Sequence, residues 1–155
     1  MARILVTNDD GVEADGLLAL ADALTAVGEV TVVAPAEESS AVSHALTLRR
    51  PLCLTRVSES WYSVDGTPTD CVNVGITDVL GEVPDLVVSG INNGLNVGED
   101  VTYSGTVGGA LEGVLLGAHG IAVSLQRSDG PMDYGSAAEV ARRLAATVLA
   151  HGLPP

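Results

Sequence analysis

Short runs typical of β-strands alternate along this chain with longer segments typical of amphipathic α-helices. The run from Leu86 to Val88 is apolar without alternation, which is the pattern of a strand buried on both faces of a helix-covered sheet. The segment with Leu17, Leu20 and Leu24 instead repeats its apolar residues at helical spacing. The alternation predicts an α/β fold, in which helices cover both faces of a doubly wound, mainly parallel sheet of the Rossmann-like kind.

The predicted elements follow one another in a regular order. Strands are expected at 3–7, 30–34, 85–89 and 121–125, with shorter runs at 52–57 and 61–64 that form a hairpin or an edge. Helices are expected at 17–24, 68–80, 104–117 and 134–151, with Thr67 as the N-cap of the second and a loop at 90–103. At 155 residues with 46% hydrophobic content, the chain is predicted to form a single domain, 1–155.

The net charge of −13 and the absence of lysine exclude whole classes of partner. Nucleic acids and acidic membranes need a basic surface, so neither is expected to bind here. No run reaches the roughly eighteen apolar residues of a membrane-spanning helix, and a cytoplasmic location is therefore predicted. An anionic substrate would need local positive charge, which only seven arginines or a bound metal can supply.

Two cysteines, Cys53 and Cys71, are present in the chain. Their spacing fits neither a metal site nor a disulfide framework, and each has apolar neighbours in the sequence. Both are predicted to be reduced packing residues.

Polar residues follow three of the predicted strands. Asp9 and Asp10 follow the first strand, Ser40 lies in the loop after the second, and Asn92 follows the central one. Ligands of open α/β sheets bind at the carboxyl ends of the strands, so these side chains are expected to converge. Adjacent carboxylates repel unless a cation lies between them, and an all-oxygen set favours magnesium or manganese. The alternative for Asp9 and Asp10 is an ordinary solvated turn.

A second candidate site opens the helix at 104–117. Ser104, Gly105 and Thr106 offer two hydroxyls and free backbone amides that could hold a phosphate at the positive end of the helix dipole, and Asn96 could add an amide donor. The alternative is that Ser104 only caps the helix. Because this loop differs from the metal-binding loops, loss of the Ser104 and Thr106 hydroxyls is expected to spare metal affinity. His44 is interpreted as an incidental surface histidine.

Four ordered motifs carry a family resemblance: Val6-Thr7-Asn8-Asp9-Asp10-Gly11, Gly66-Thr67-Pro68-Thr69-Asp70-Cys71, Val88-Ser89-Gly90-Ile91-Asn92 and Tyr103-Ser104-Gly105-Thr106-Val107. On these motifs the chain resembles the SurE survival-protein nucleotidases. The resemblance covers essentially all 155 residues. Members of that family usually continue further, so the chain is expected to be SurE-like in fold and to lack the family's C-terminal part.

The resemblance implies a metal-dependent phosphomonoesterase that acts on nucleoside 5′- and 3′-monophosphates, and a homo-oligomer, dimer or tetramer. It implies that Asp9, Asp10, Ser40 and Asn92 are the metal ligands. The family's second loop usually reads Pro-Asp-Arg-x-Arg-Ser-Gly, whereas this chain has Pro35-Ala36-Glu37-Glu38-Ser39-Ser40-Ala41. Acidic or neutral residues thus replace basic ones, and Ser39 becomes a rival to Ser40 as the ligand.

The hypothesis that follows assigns phosphate hydrolysis to Asp9 and Asp10, with Asp9 as the candidate general base and Ser104 and Thr106 holding phosphate oxygens. A receiver-like magnesium-binding signalling module is the first alternative. Such a module needs an acceptor aspartate and a later lysine, whereas this chain has Ser89 and Asn92 and no lysine. An inactive, truncated binding domain is the second alternative.

Overall fold

The computed structural model describes residues 1–153. The elements, in chain order, are β1 (Arg3–Thr7), α1 (Asp15–Leu24), β2 (Glu29–Pro35), β3 (Leu54–Ser58), β4 (Trp61–Val64), α2 (Pro68–Val74), a π-helical segment (Gly75–Leu80), β5 (Leu86–Asn93), α3 (Asp100–Tyr103), α4 (Gly105–Leu115), β6 (His119–Leu125) and α5 (Gly135–His151). No helix in this part of the chain has the length and apolar character that a membrane crossing requires.

The six strands found in residues 1–153 belong to one sheet, in the order β3-β4-β2-β1-β5-β6. Every neighbouring pair is parallel except β3 and β4, which form the antiparallel edge hairpin. The predicted α/β sheet is therefore confirmed, and so is the predicted edge hairpin. The assignment of residues 1–155 to a single domain stays a prediction.

Successive residues of a strand point to opposite faces of the sheet, and helices cover both faces. Ile4 and Val6 belong to the core beneath α1 and α5, whereas Leu5 belongs to the core beneath α2. Both faces are buried, which explains the unbroken apolar runs of the strands. Both cysteines are free among the described residues, and Cys71 lies in the second core as predicted. The packing role predicted for Cys53 is wrong, because Cys53 is exposed next to the edge strand β3.

The C-terminal half of β5 is the main departure from the predicted elements. Residues 90–93 were predicted to be loop, yet they continue the strand because β6 pairs with them after a register shift between Ser89 and Asn92. Gly90 permits this pairing, since a Cβ there would lie 2.3 Å from the carbonyl oxygen of Val123. Two smaller departures are the short helix α3 and the change to π-helical geometry at Gly75.

Helix α4 lies unusually close to the sheet. A Cβ on Gly120 of β6 would lie 2.6 Å from the carbonyl oxygen of Ala110 in α4. A Cβ on Gly113 of α4 would lie 2.6 Å from Cβ of Val87 in β5. The absence of these two side chains lets α4 rest against β5 and β6, which fixes where its N-terminus lies.

We expect Gly120→Ala to lower the free energy of unfolding by about 1 to 3 kcal/mol, because the added methyl group meets backbone that must shift. Gly130→Ala is the matched control, since a Cβ at Gly130 meets no atom within 4 Å. Urea unfolding of both variants would measure the difference. Equal stability of the two variants would contradict the close approach of α4 to β6.

Candidate active site

The carboxyl ends of β1, β2, β5 and β6 meet at one edge of the sheet, where the following loops enclose a cavity of about 230 Å³. The residues that line this cavity, called the acidic cavity below, are Asp9, Asp10, Ser40, Ala41, Asn92, Asn93, Leu95, Asn96, Asp100, Tyr103, Ser104 and Arg127. Residues that are far apart in sequence are thus brought together by the sheet order.

The turn after β1 presents the two adjacent carboxylates. Asn8 is buried and closes the turn with two bonds to Gly11: its Nδ2 donates to the Gly11 carbonyl at 2.8 Å, and its Oδ1 accepts from the Gly11 amide at 3.2 Å. The polar groups of Asn8 are therefore used within the turn. Asp9 and Asp10 are left to line the acidic cavity.

Asp9 is 5% exposed and lies against the start of α4. Its Oδ1 accepts a hydrogen bond of 2.9 Å from Oγ1 of Thr106, and a Cβ on Gly105 would lie 3.1 Å from Cβ of Asp9. Burial raises the pKa of Asp9 above its ordinary value, the Thr106 hydrogen bond lowers it, and the charge of Asp10 raises it. The net effect is a raised pKa, so the charged form of Asp9 is disfavoured without a cation.

Asp10 is half-buried beside Asp9. Its Oδ2 accepts from the backbone amide of Asn93 at 3.1 Å. Burial raises the pKa of Asp10; the Asn93 bond and the Arg127 charge lower it, and the Glu38 charge raises it. Here too the pKa lies above its ordinary value.

Two neutral side chains complete the oxygen set. Nδ2 of Asn92 donates to the Gly94 carbonyl at 2.8 Å and to Oδ1 of Asn96 at 3.3 Å, while Oδ1 of Asn92 makes no hydrogen bond within residues 1–153. The Ser40 hydroxyl donates to Oε1 of Glu38 at 2.6 Å. Ser40 lines the acidic cavity, whereas Ser39 lines a neighbouring one.

This donor set fits a hard divalent cation. Two carboxylates with raised pKa values, an amide oxygen without a hydrogen bond and a hydroxyl oxygen share one cavity. Among the described residues, no group of three or more His, Cys, Asp or Glu side chains is placed to hold a metal. Such oxygen donors suit a hard cation better than a soft one, so the residues present fit a divalent metal.

A family model described as Survival protein SurE matches residues 4–155 of this chain. The chain belongs to the SurE family. The 5′-nucleotidase SurE of Geotalea daltonii is 57% identical over 98% of this SurE-family chain and 61% of its own length. That of Geobacter sulfurreducens is 58% identical, again over 98% of this chain and 58% of its own length. A crystal structure of the Aquifex aeolicus SurE protein matches 98% of this chain with a TM-score of 0.93 and 45% identity.

The chain spans about three-fifths of the length of these relatives, since the matches cover 61%, 58% and 62% of them. Membership of the SurE family confirms the family resemblance found in the motifs and does not favour the receiver-like alternative.

The structure places the candidate phosphate site of this SurE-family chain differently from expectation in one respect. Ser104 lines the acidic cavity and caps α4, because its Oγ accepts from the amide of Val107 at 3.1 Å. Thr106 is fully buried, and its hydroxyl is bonded to Asp9 rather than open to the cavity. The two candidate sites are therefore joined by one hydrogen bond, not separate as the loops suggested.

Asn96 and His44 also have defined surroundings. Oδ1 of Asn96 accepts from Oγ of Ser124 at 2.8 Å, which leaves its amide nitrogen as the donor toward the cavity. His44 is not an incidental surface residue, because its Nε2 lies 2.5 Å from Oε2 of the buried Glu112. That contact anchors the second loop to α4, outside the acidic cavity.

Arg127 was not among the predicted site residues of this SurE-family chain, yet it is the one cation that lines the acidic cavity in the described part of the chain. Its Nε donates to the carbonyl of Asn93 at 2.9 Å. Arg127 lies two residues after β6, and a search of every loop that follows a parallel strand would have found it.

We expect Asp9→Asn to raise the thermal midpoint in chelator at neutral pH. The raised pKa means that the folded chain binds a proton at Asp9 more readily than the unfolded chain does. The stability from this group is therefore present below pH 3.8 and is lost as pH rises through the raised pKa. An asparagine side chain does not ionise, so this loss of stability does not occur. Its amide oxygen still accepts the hydrogen bond from the Thr106 hydroxyl.

Asp129→Asn serves as the control, because it makes the same charge change in an exposed loop. Thermal unfolding of the two variants and the parent, followed from acid to neutral pH, makes the comparison. A lower midpoint for Asp9→Asn at neutral pH would show that the charged carboxylate stabilises the metal-free fold.

Proposed function

We propose that this chain hydrolyses nucleoside 5′- and 3′-monophosphates to nucleoside and phosphate, using a divalent cation, magnesium or manganese. Asp9, Asp10, Ser40 and Asn92 would hold the cation. The observation that carries the proposal is the convergence of these four side chains, from the loops after β1 and β2 and from the end of β5, on the acidic cavity. The relatives named 5′-nucleotidase SurE support the reaction and the substrate class.

Different residues of the chain would hold the cation, bind the phosphate oxygens and accept a proton. When bound, the cation supplies Lewis acidity at the phosphoryl group and lowers the pKa of water. Ser104, the Asn96 amide and the Arg127 guanidinium would bind and orient phosphate oxygens, as groups that line the same cavity. Asp9 would accept the proton of the attacking water at Oδ2, the oxygen that is not bonded to Oγ1 of Thr106.

The nucleoside would lie at the mouth of the acidic cavity. Tyr103 is 64% exposed and Leu95 is 46% exposed there, which is apolar surface that water covers in the absence of a substrate. A tyrosine ring offers a planar face to a nucleobase, and its hydroxyl remains in solvent. Such contacts tolerate different bases, so both adenine and guanine nucleotides are proposed substrates.

We also propose that residues 1–155 form a single domain. We propose further that the protein is a homo-oligomer, a dimer or tetramer, and that it is cytoplasmic. We propose that neither nucleic acid nor a membrane is a partner, because the net charge of the chain is −13.

We expect the 155-residue chain to release inorganic phosphate from AMP and GMP with manganese present, and chelator to abolish the release. Both the 5′ and the 3′ monophosphates are measured, because they differ in the position of the ester. Calorimetric titration with manganese alone is run in parallel, and Asp9→Asn should abolish tight binding since it removes one of two anionic ligands. Tight manganese binding without phosphate release would favour the inactive binding domain.

We expect Thr106→Val to weaken manganese affinity by about 10- to 100-fold, because the hydroxyl fixes the Asp9 carboxylate. Valine keeps the shape of the side chain and replaces the hydroxyl with a methyl group, which cannot donate to Asp9. Thr102→Val is the matched control, since Thr102 is exposed and its hydroxyl makes no hydrogen bond in the structure described. If Thr106→Val bound manganese like the parent, Thr106 would not orient Asp9.

A further inference from the structure

The Ser40 hydroxyl has only one proton, and the structure shows where that proton goes. Oγ of Ser40 donates to Oε1 of Glu38 at 2.6 Å. A hydroxyl that donates its proton in one direction presents its lone pairs in others. Glu38 itself lines the neighbouring cavity of about 430 Å³, together with Glu37 and Ser39, and does not line the acidic cavity. Glu38 therefore contacts the acidic cavity through Ser40, and its charge also raises the pKa of Asp10 there.

The backbone around Ser40 is held on both sides. The Ser39 amide donates to the carbonyl of Asp9 at 2.8 Å. On the other side, the amide of Ser43 donates to the Tyr103 carbonyl at 3.0 Å, and the Ser43 hydroxyl donates to the Thr102 carbonyl at 2.8 Å. These contacts fix the main chain but not the rotation of the exposed Ser40 side chain about its Cα–Cβ bond. The hydrogen bond to Glu38 fixes that rotation.

We propose that Glu38 is a positioning residue of the metal site, which accepts the Ser40 proton and so directs the Ser40 lone pairs toward the cation. The inference rests on the proposed function, because it requires Ser40 to be a metal ligand. Groups that orient a metal ligand act on affinity although they do not touch the metal. Glu37, of equal charge and adjacent in sequence, has no such contact and should be dispensable.

The test is calorimetric titration of the 155-residue chain with manganese alone. We expect Glu38→Ala to weaken affinity by about 10- to 100-fold, as the loss of an outer-shell partner does. Glu37→Ala, the matched control, should stay close to the parent. Glu38→Gln should recover much of the loss, because its amide oxygen still accepts the Ser40 proton. Thermal unfolding in chelator should show unchanged midpoints for these exposed positions.

A double-mutant cycle with Ser40→Ala separates positioning from charge. Glu38→Ala should have little further effect in the Ser40→Ala background, since the hydroxyl through which Glu38 acts is gone. Equal losses from Glu38→Ala and Glu37→Ala, or the same loss in both backgrounds, would overturn the inference in favour of long-range charge. That result would leave the proposed function standing if Asp9→Asn abolished binding. Parent-like binding by Asp9→Asn would overturn both, because the metal would lie elsewhere.

Discussion

The hydrogen bond from Thr106 to Asp9 joins the turn after β1 to the first turn of α4 across 97 positions of the chain. The bond needs α4 to approach the sheet closely, and the glycine at 120 permits that approach. It also needs β1 to lie beside β5, so that both carboxyl ends open on one edge. The acidic cavity thus depends on a helix position set by the core.

Hydrogen bonds partly offset the effect of burial on the two carboxylates of the acidic cavity. Burial raises the pKa of Asp9 and Asp10, while the hydroxyl of Thr106 and the amide of Asn93 each favour the charged form of one of them. Within the described residues, Arg127 is the one cationic side chain that lines the cavity. The chain as a whole carries a net charge of −13. A site of this kind is suited to a divalent cation, which relieves the repulsion between the two carboxylates.

Most of the fold could be predicted because local pattern and tertiary packing agree. The run at 86–88 is apolar on both sides and is a buried interior strand, and Thr67 is the expected N-cap of α2, which the structure completes as a capping box with Asp70. Residues 90–93 could not be predicted to be strand. Their glycine and asparagine residues are typical of loops, and they are extended here because they pair with β6, a strand distant in sequence.

The sequence by itself determined the residue types and the order of the site. Carboxylates follow β1, hydroxyls follow β2 and an amide lies at the end of β5, and parallel strands place such residues at one edge. Tertiary structure decided which of their atoms are free. It turned Thr106 away from the cavity to Asp9, placed Ser40 rather than Ser39 in the cavity and brought Arg127 to it. Hydrogen-bond partners distant in sequence make these choices, and a sequence pattern records residue types but not the directions of their donors and acceptors.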